Sequence, residues 1–464
     1  MKPIMKTPNL ETIYKTTVGK RVAHNTGLLV GAKFLGVLMG AATLFITEWA
    51  LDDQVAFGSI LFLHAYMLFF AEVATFHSWQ SIIRFGSEDI ERKDATSLSK
   101  LIKFSLKIDG LSAILAYIGA VLLFVGYAGL VKLFPVIGPS DEGFDIVALQ
   151  PYIAAYCTVV LFQVTGFATG ILRLFNKFDG LAIALMVMPA LRLLGAIFAA
   201  KQGWGIIGFL CVWWFASVVA YLFRIALGFF ELHKRNLLGL VLKTKQNFTN
   251  TRDGLWGFVW KSNVDSTLAA GVSQLPLILV MAVFGPAFVA IYRIAEEFAK
   301  LLSEGVKLIE QVIYPELARI MSVGKGNEIW KLVIRASGAA LLIGMVAAVM
   351  LFLLGPTVMS SSLGEEYQAS IPIAVLLVFG AALFAASAPL FPVFYAANKP
   401  ERAIYVRVFS LISYVLAFFV LTKYFGEIGA PMAVIFGSSI GIIIVGIMTV
   451  KTLNDIGRSN NQSR

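Results

Sequence analysis

The sequence predicts an all-α polytopic membrane protein with about twelve transmembrane helices. Its 464 residues are 58% hydrophobic and 14% charged, with a mean hydropathy of +0.80, values that a water-soluble domain does not reach. Twelve apolar runs are long enough to cross a bilayer, and the basic residues between them fall almost entirely on alternate loops. Lipid is therefore the solvent for most of the chain.

The predicted spans are runs of roughly 20 mostly apolar residues, the length that crosses about 30 Å of hydrocarbon. The first run is too long for the core of a signal peptide and is not followed by a small-residue cleavage site, so we expect it to be retained. The predicted spans cover residues 26–46, 55–76, 108–131, 149–171, 181–200, 206–228, 262–284, 287–313, 332–354, 370–396, 406–424 and 429–450.

The distribution of basic residues predicts the orientation of these spans. Thirty of the 38 lysines and arginines lie in loops or at span ends on one side, five lie deeper within spans, and three lie in loops or at span ends on the other side, namely Lys132, Lys201 and Lys423. By the positive-inside rule both termini are cytoplasmic, which requires an even number of crossings. The net charge of +10 is then explained by cytoplasmic loops rather than by a nucleic-acid partner.

The two halves of the chain predict two lobes of six spans each. A long cytoplasmic connection, residues 231–261, separates an N-terminal lobe, residues 1–230, from a C-terminal lobe, residues 262–464. Within the connection, the apolar patch Asn236–Leu242 predicts a short helix on the inner membrane surface. Six spans followed by six indicate an internal repeat, a common construction of secondary transporters.

Motifs for several kinds of chemistry are absent from the sequence. It contains no phosphate-binding loop ending in Lys-Ser or Lys-Thr, no HExxH motif and no nucleophile elbow, which argues against the commonest ATPases and hydrolases. We therefore expect a protein that is not an enzyme and has no cofactor or metal. The acidic clusters predicted outside, Asp141, Glu142, Asp145, Glu365 and Glu366, keep a membrane-bound polymerase or ligase as an alternative.

The eighth predicted span carries a stripe of alternating charge. Its members recur three and four residues apart and place opposite signs next to each other: Arg293, Glu296, Glu297, Lys300, Glu304, Lys307 and Glu310. Such a stripe cannot face lipid, so it faces water or other helices. One interpretation is a salt-bridge ladder that neutralises itself. The other is direct binding of substrate or coupling ion, for which we expect Arg293→Ala and Lys300→Ala to accumulate normally and lose transport.

Five further charges lie within predicted spans, and such residues are usually functional. Lys33, Asp109 and Asp265 are near enough to helix ends to snorkel toward the headgroups. Arg192 is close to the middle of the fifth span, which favours burial in a polar interior. Glu72 and Glu296 are the acidic groups from which we expect a contribution to ion coupling, because ionisation is costly there.

Several segments together resemble a known family. They are Phe57-Gly58, Tyr292–Arg319 (ending in YPELAR), Leu363–Ala369 (LGEEYQA), Ala397–Pro400 (ANKP) and Phe425–Ala430 (FGEIGA). With the twelve predicted spans, they make the chain similar to the polysaccharide transporters of the multidrug/oligosaccharidyl-lipid/polysaccharide (MOP) exporter superfamily, which includes the Wzx-type O-antigen flippases. The resemblance extends over nearly the whole chain.

The resemblance implies two six-helix lobes around a central cavity and residence in the bacterial cytoplasmic membrane. It also implies movement of an undecaprenyl-pyrophosphate-linked oligosaccharide to the outer leaflet, alongside a polysaccharide polymerase and a chain-length protein. The candidate cations for the pyrophosphate are Lys33, Arg192, Arg293 and Lys300. The candidates for proton or sodium coupling are Glu72, Glu296, Asp109 and Asp265. A multidrug exporter of the same superfamily is an alternative to this function.

The predicted orientation can be tested with reporter fusions. We expect alkaline phosphatase fused after Arg464 to be inactive, because the enzyme matures only outside the cytoplasm, and the same fusion after Lys132 to be active. Phosphatase activity at Arg464 would contradict the orientation that the basic residues predict.

Overall fold

The structure, a computed structural model, describes residues 18–76, 78–134, 138–139, 144–245, 252–300, 326–362, 368–396 and 401–462. Within these ranges the regular secondary structure is helical, and ten segments are long and apolar enough to cross a membrane. Three of these segments contain more than one helix, namely Gln54–Glu91, Ile146–Leu174 and Glu401–Thr452. The protein is thus an all-α polytopic membrane protein, as predicted.

The chain divides into two compact units, Met1–Ile278 and Leu279–Arg464. The helices of the N-terminal unit are α1 (Val18–Leu51), α2 (Gln54–Ala74), α3 (Ser78–Glu91), α4 (Ala95–Leu133), α5 (Gln150–Tyr156), α6 (Gly166–Leu174), α7 (Phe178–Lys201), α8 (Ile206–Lys234), α9 (Leu238–Lys243) and most of α10 (Leu255–Phe284). The predicted lobe boundary, residues 231–261, precedes the division between the units and stays a prediction.

The C-terminal unit contains the end of α10 and six further helices. They are α11, whose described part is residues 286–300, α12 (Gly326–Ser362), α13 (Ser370–Ser387), α14 (Phe391–Ala396), α15 (Glu401–Phe425) and α16 (Gly429–Gln462). The predicted eighth span continues beyond the described part of α11. A short 3-10 helix at Pro389 separates α13 from α14 inside the predicted tenth span.

Local sequence explains where several helices begin. The side chain of Asp53 accepts hydrogen bonds from the amides of Val55 and Ala56 at the start of α2. Asp94 does the same for Thr96 and Ser97 at the start of α4. Each aspartate satisfies two amides that have no partner within the helix, which is the usual role of an N-cap residue.

Two features of the N-terminal unit differ from the uninterrupted spans that the sequence predicts. The fourth span is broken: a 3-10 helix, Cys157–Phe162, follows α5, and residues 163–165 separate it from α6. The predicted loop between the second and third spans contains α3, which packs against α4 and α6. Apolar length alone does not reveal either feature, because the fourth span is apolar on both sides of its break, whereas α3 is too polar to be read as a span.

The short helix predicted between the lobes is present as α9. Leu237 and Val241 are fully buried and pack in the core of the N-terminal unit, while Leu242 is exposed. The connection after α9 is held by Arg252, which pairs with Glu88 and with Asp89 of α3. This helix therefore lies against the N-terminal unit and is not supported by the membrane surface alone.

Glycine permits close packing of α6 against its neighbours. A Cβ atom on Gly228 of α8 would lie 2.6 Å from the Ala168 side chain and 2.8 Å from the Ala168 Cα of α6. A Cβ atom on Gly170 of α6 would lie 2.8 Å from Ile82 of α3. Because real side chains do not approach so closely, α6 can occupy this position only if both residues are glycine.

We expect Gly228→Val to destabilise the protein, because the added side chain would push α6 and α8 apart. The cost of such overpacking is about 1–3 kcal/mol. The measurement is the midpoint of thermal unfolding of the purified protein in detergent, together with its accumulation in membranes. Gly126→Val is the matched control, since nothing lies within 4 Å of the Cβ position of that helical glycine. Equal stability of the two variants would contradict the packing argument.

Candidate functional site

Four helices bring a polar cluster into the interior of the N-terminal unit. We call His64 of α2, Tyr156 of α5, Arg192 of α7, and Trp213 and Ser217 of α8 the central polar network. Tyr156, Trp213 and Ser217 are buried, whereas His64 and Arg192 are half-buried. The guanidinium carbon of Arg192 lies 5.2 Å from the centre of the Trp213 ring, a cation-π contact. Arg192 thus occupies a polar interior, as the sequence predicts.

The hydrogen bonds of the central polar network have a defined direction. Arg192 can only donate, so its contact of 3.0 Å with His64 Nε2 makes that nitrogen the acceptor. The proton of the neutral imidazole is therefore on Nδ1, which donates to the Tyr156 hydroxyl at 3.0 Å. Arg192 also donates to Ser217 Oγ at 2.8 Å, and Ser217 donates to the Trp213 carbonyl at 2.7 Å. The network joins α2, α5, α7 and α8.

One face of α8 extends the central polar network by two further residues. Trp213, Ser217, Tyr221 and Arg224 follow one another at intervals of four, four and three residues, so they lie on the same side of the helix. The buried Tyr221 hydroxyl is within electrostatic reach of Arg192, Arg224 and Glu72. The charges of Glu72 and Arg192, which the sequence singled out, thus both act on Tyr221, and the charge of Arg224 acts there as well.

Arg173, which the sequence analysis counts among the loop residues of the basic side, also lies within the N-terminal unit. Arg173, in the last turn of α6, stacks over the ring of Trp79 of α3 at 4.1 Å. The charge of Arg224 reaches Arg173. The helical spacing of Arg224 from Ser217 could have identified Arg224, whereas Arg173 required knowledge of the break before α6.

Asp109 of α4 lies at the break in the fourth span. Its side chain is 2% exposed and accepts hydrogen bonds from Ser78 Oγ at 2.8 Å and from the Phe167 amide at 3.2 Å. The second carboxylate oxygen is buried and has no hydrogen-bond partner among the described residues. The expectation that Asp109 snorkels is wrong, because the first amides of α6 satisfy the carboxylate in the interior.

Lys33 of α1 is exposed, but it does not share the apolar side of its helix. At about 100° per residue, it points roughly 140° away from Leu38 and roughly 160° away from Leu35 and Trp49. These three exposed apolar side chains mark the lipid-facing side of α1. The Lys33 side chain therefore points away from that side.

The described part of α11, in the C-terminal unit, carries the first half of the predicted charge stripe. Arg293 pairs with Glu296 at 2.6 Å and with Glu297 at 3.1 Å, and Lys300 pairs with Glu296 at 3.2 Å. The Arg293 side chain is 21% exposed, and its two carboxylate partners are 16% and 14% exposed. Tyr414 of α15 is buried within electrostatic reach of Glu296. In these four residues, two cations and two anions compensate one another.

Several predicted site residues fall outside the described part of the chain. They are the Asp265 side chain, the remaining stripe residues Glu304, Lys307 and Glu310, and the acidic loop residues Asp141, Glu142, Glu365 and Glu366. Asp145 is described, and its side chain accepts from the Val147 amide as an ordinary helix cap. Within the described residues, no group of three or more histidine, cysteine, aspartate or glutamate side chains is placed to hold a metal ion.

Sequence comparison finds a distant relative of this chain. No family model matches it. The chain is 23% identical over 360 residues to the inner membrane protein YghQ of Escherichia coli (strain K12), a match that covers 75% of this chain and 94% of that protein.

Comparison with solved structures identifies the fold. An inward-facing multidrug resistance MATE family transporter of the MOP superfamily matches with a TM-score of 0.71 at 14% identity, over 91% of this chain and 96% of that one. The inward closed conformation of the lipid II flippase MurJ matches with a TM-score of 0.64 at 16% identity, over 92% and 89%. The chain therefore has the fold of MOP superfamily transporters, and these neighbours are transporters rather than enzymes.

The ion pairs of α11 favour the ladder interpretation of the charge stripe, and a charge-balanced variant tests it. We expect Arg293→Gln to lower the free energy of unfolding by about 1–3 kcal/mol, because it leaves the half-buried Glu297 without its cation. Arg293→Gln combined with Glu297→Gln should recover most of the loss, because the pair Glu296–Lys300 stays intact. The measurement is thermal unfolding of the purified variants in detergent.

The interpretation that Arg293 and Lys300 bind substrate leads to the opposite result for stability. In that case Arg293→Gln would accumulate and unfold like the wild type, and the second substitution would change nothing. That outcome would contradict the ladder.

Proposed function

We propose that this protein is a flippase for a lipid-linked oligosaccharide. In this proposal it moves an undecaprenyl-pyrophosphate-linked repeat unit from the cytoplasmic to the outer leaflet for surface polysaccharide synthesis, by ion-coupled alternating access. The sugar and the pyrophosphate would cross along the polar interior, while the lipid tail stays in the bilayer. The fold similarity to the lipid II flippase MurJ supports the class of substrate.

The observation that carries this proposal is the concentration of arginines in the N-terminal unit. Arg173, Arg192 and Arg224 lie in α6, α7 and α8, all within candidate membrane-crossing segments. A guanidinium in hydrocarbon is costly, and it is typically retained where it meets an anion or lines a wet path. Because arginine binds phosphate groups through two parallel hydrogen bonds, this surface suits an anionic substrate.

In this proposal, the other predicted cations, Lys33, Arg293 and Lys300, also contact the anionic substrate. Lys33 points away from the lipid-facing side of α1, so it is available to a substrate in the interior. Arg293 and Lys300 of the C-terminal unit are partly neutralised by their carboxylates. In a transport role they would hold an anion weakly enough to release it.

The alternative function is export of cationic drugs, which the MATE family transporter of similar fold supports. For this alternative the relevant residues are Glu296 and Glu297, since carboxylates bind organic cations. We favour the anionic substrate because Arg173, Arg192 and Arg224 in the N-terminal unit would repel a cation.

Ion coupling in this proposal involves acidic residues inside the spans, Glu72, Glu296, Asp109 and Asp265. Asp109 has the clearest geometry: a buried carboxylate whose described hydrogen-bond donors are neutral and whose second oxygen lacks one. Such a group can take up a proton or a sodium ion when the surrounding helices permit access.

The experiment is reconstitution of the purified full-length chain in proteoliposomes that contain a fluorescent undecaprenyl-pyrophosphate oligosaccharide. We expect protein-dependent movement of the label between leaflets, accelerated by an imposed proton or sodium gradient and lost in Arg192→Gln. Transport of ethidium, with no movement of the labelled lipid, would establish the drug exporter instead.

The same assay tests coupling. Asp109→Asn keeps the shape of the side chain and removes its charge, and Glu72→Gln and Glu296→Gln do the same elsewhere. We expect at least one of the three variants to transport at the same rate with and without the gradient. Full gradient dependence in all three would remove these residues from the coupling mechanism.

A further inference from the structure

The helix α4 is longer than a bilayer requires. Its 39 residues span about 58 Å at 1.5 Å per residue, against about 30 Å of hydrocarbon. The predicted span begins at Ile108, so residues 95–107 extend the helix toward the side that the basic residues predict to be cytoplasmic. This extension carries three lysines, Lys100, Lys103 and Lys107, which we call the lysine row.

The lysine row continues the lipid-facing side of α4. Leu111, Ile114 and Ile118 of the predicted span are apolar and exposed, which marks that side of the helix. At about 100° per residue, these residues and the whole lysine row point within roughly 40° of the direction of Lys107. Ala116, which points roughly 180° away from Lys107, is buried. One helix face is thus apolar within the bilayer and cationic at its edge.

Two tryptophans mark the membrane interface beside this face. Trp256 and Trp260, one turn apart near the start of α10, are 40% and 59% exposed, and indoles are enriched at the level of the headgroups. The Trp256 ring meets the Phe104 ring of α4 edge to face, with centroids 5.3 Å apart. Phe104 belongs to the same turns as the lysine row. The indole therefore places the lysine row at the level of the headgroups.

The lysine row carries positive charge that carboxylates of the same unit do not neutralise. Lys100 and Lys103 form no ion pair with any residue that the structure describes. Asp109, in the next turn, points to the opposite side of the helix and accepts from Ser78 Oγ and the Phe167 amide instead. Like charges three and four residues apart destabilise a helix, so an anion at this face relieves the repulsion.

We propose that this face of α4, together with Trp256, binds one anionic phospholipid of the cytoplasmic leaflet. The phosphate lies among the ammonium groups of the lysine row, and the acyl chains lie along Leu111, Ile114 and Ile118. A zwitterionic lipid brings its own ammonium group and leaves the row uncompensated, so the site selects a net negative headgroup. A soluble phosphate lacks the chains that cover the apolar part. The ligand stays in its leaflet, so the site goes beyond the proposed function and does not depend on it.

Binding is measured on the delipidated full-length protein in a neutral detergent, with phosphatidylglycerol brominated on its acyl chains as the probe. Bromine quenches the fluorescence of an indole that it touches. We expect saturable quenching that brominated phosphatidylcholine at the same concentration does not reproduce. Trp256→Phe should remove the saturable part, although seven of the eight tryptophans remain. Phenylalanine keeps an aromatic ring against Phe104.

Substitutions in the lysine row test the headgroup contact. Lys103→Gln combined with Lys107→Gln should weaken the binding of phosphatidylglycerol roughly tenfold to thirtyfold, the contribution of two lysines at an anionic surface. Lys103→Arg combined with Lys107→Arg should bind like the wild type, because arginine keeps the positive charge. The measurement is the midpoint of the quenching titration.

Lys234→Gln combined with Lys451→Gln is the matched control. It removes the same charge from exposed lysines of two different helices, α8 and α16. We expect this variant to bind phosphatidylglycerol like the wild type. A loss equal to that of the variant in the lysine row would show a general attraction between the protein surface and anionic lipid, and would overturn the site.

Competing occupants give different results in the same titration. Equal quenching by brominated phosphatidylcholine would show an apolar contact only, and full competition by glycerol 3-phosphate would show an anion site without acyl chains. Displacement by an equimolar amount of farnesyl pyrophosphate would assign the face to a polyprenyl substrate. Each of these results overturns the proposal. Quenching of the wild-type protein decides between them even if the double Gln variant does not accumulate.

The flipping assay keeps this inference distinct from the proposed function. Saturable binding of phosphatidylglycerol at the lysine row, without any movement of the labelled oligosaccharide lipid, would leave the site standing and remove the function. Movement of the labelled lipid by a protein that shows no saturable quenching would leave the function standing and remove the site.

Discussion

Hydrocarbon offers no hydrogen-bond partner, so every polar group inside a span must find its partner within the protein. At the break in the fourth span, Asp109 accepts hydrogen bonds from Ser78 Oγ of α3 and from the Phe167 amide at the start of α6, and these contacts tie α3 and α4 to α6. The central polar network obeys the same constraint and ties α2 and α5 to α7 and α8 through Arg192. Packing of the N-terminal unit is thus specified by a few polar contacts among many interchangeable apolar ones, with glycines that permit the close approach.

The charged side chains inside the two units have different kinds of partner. In α11 of the C-terminal unit, Arg293 and Lys300 pair with carboxylates one turn away on the same helix, so the compensation is local and needs no neighbour. In the N-terminal unit, Arg192 donates to His64 and Ser217 on other helices, and the Arg173 guanidinium lies over an indole ring. Hydrogen bonds to neutral groups satisfy the N–H donors of a guanidinium but do not neutralise its positive charge.

Much of the architecture could be predicted from the sequence, because the length and periodicity of apolar runs follow directly from the thickness of the bilayer. The predicted spans 206–228 and 429–450 begin where α8 and α16 begin. The break before α6 could not be predicted, since it lies inside a long, mostly apolar run and the Phe167 amide at the start of α6 is satisfied by Asp109, which is distant in sequence. Arg192 was identified by its depth in a span, whereas Arg173 and Arg224 resembled ordinary cytoplasmic charges. Which charges are compensated depends on tertiary contacts, and a single sequence does not contain these explicitly.

In the tautomer of His64 described above, Arg192 and any incoming proton compete for the single lone pair of Nε2. His64 Nε2 has a single lone pair, which accepts from Arg192, while Nδ1 already donates to Tyr156. A proton that entered from either side of the membrane could bind only at Nε2, and imidazolium cannot accept from a guanidinium. Protonation would therefore break the hydrogen bond between Arg192 and His64 and leave the bond of Arg192 to Ser217 in place. A proton and the Arg192 guanidinium thus exclude each other at one atom of His64.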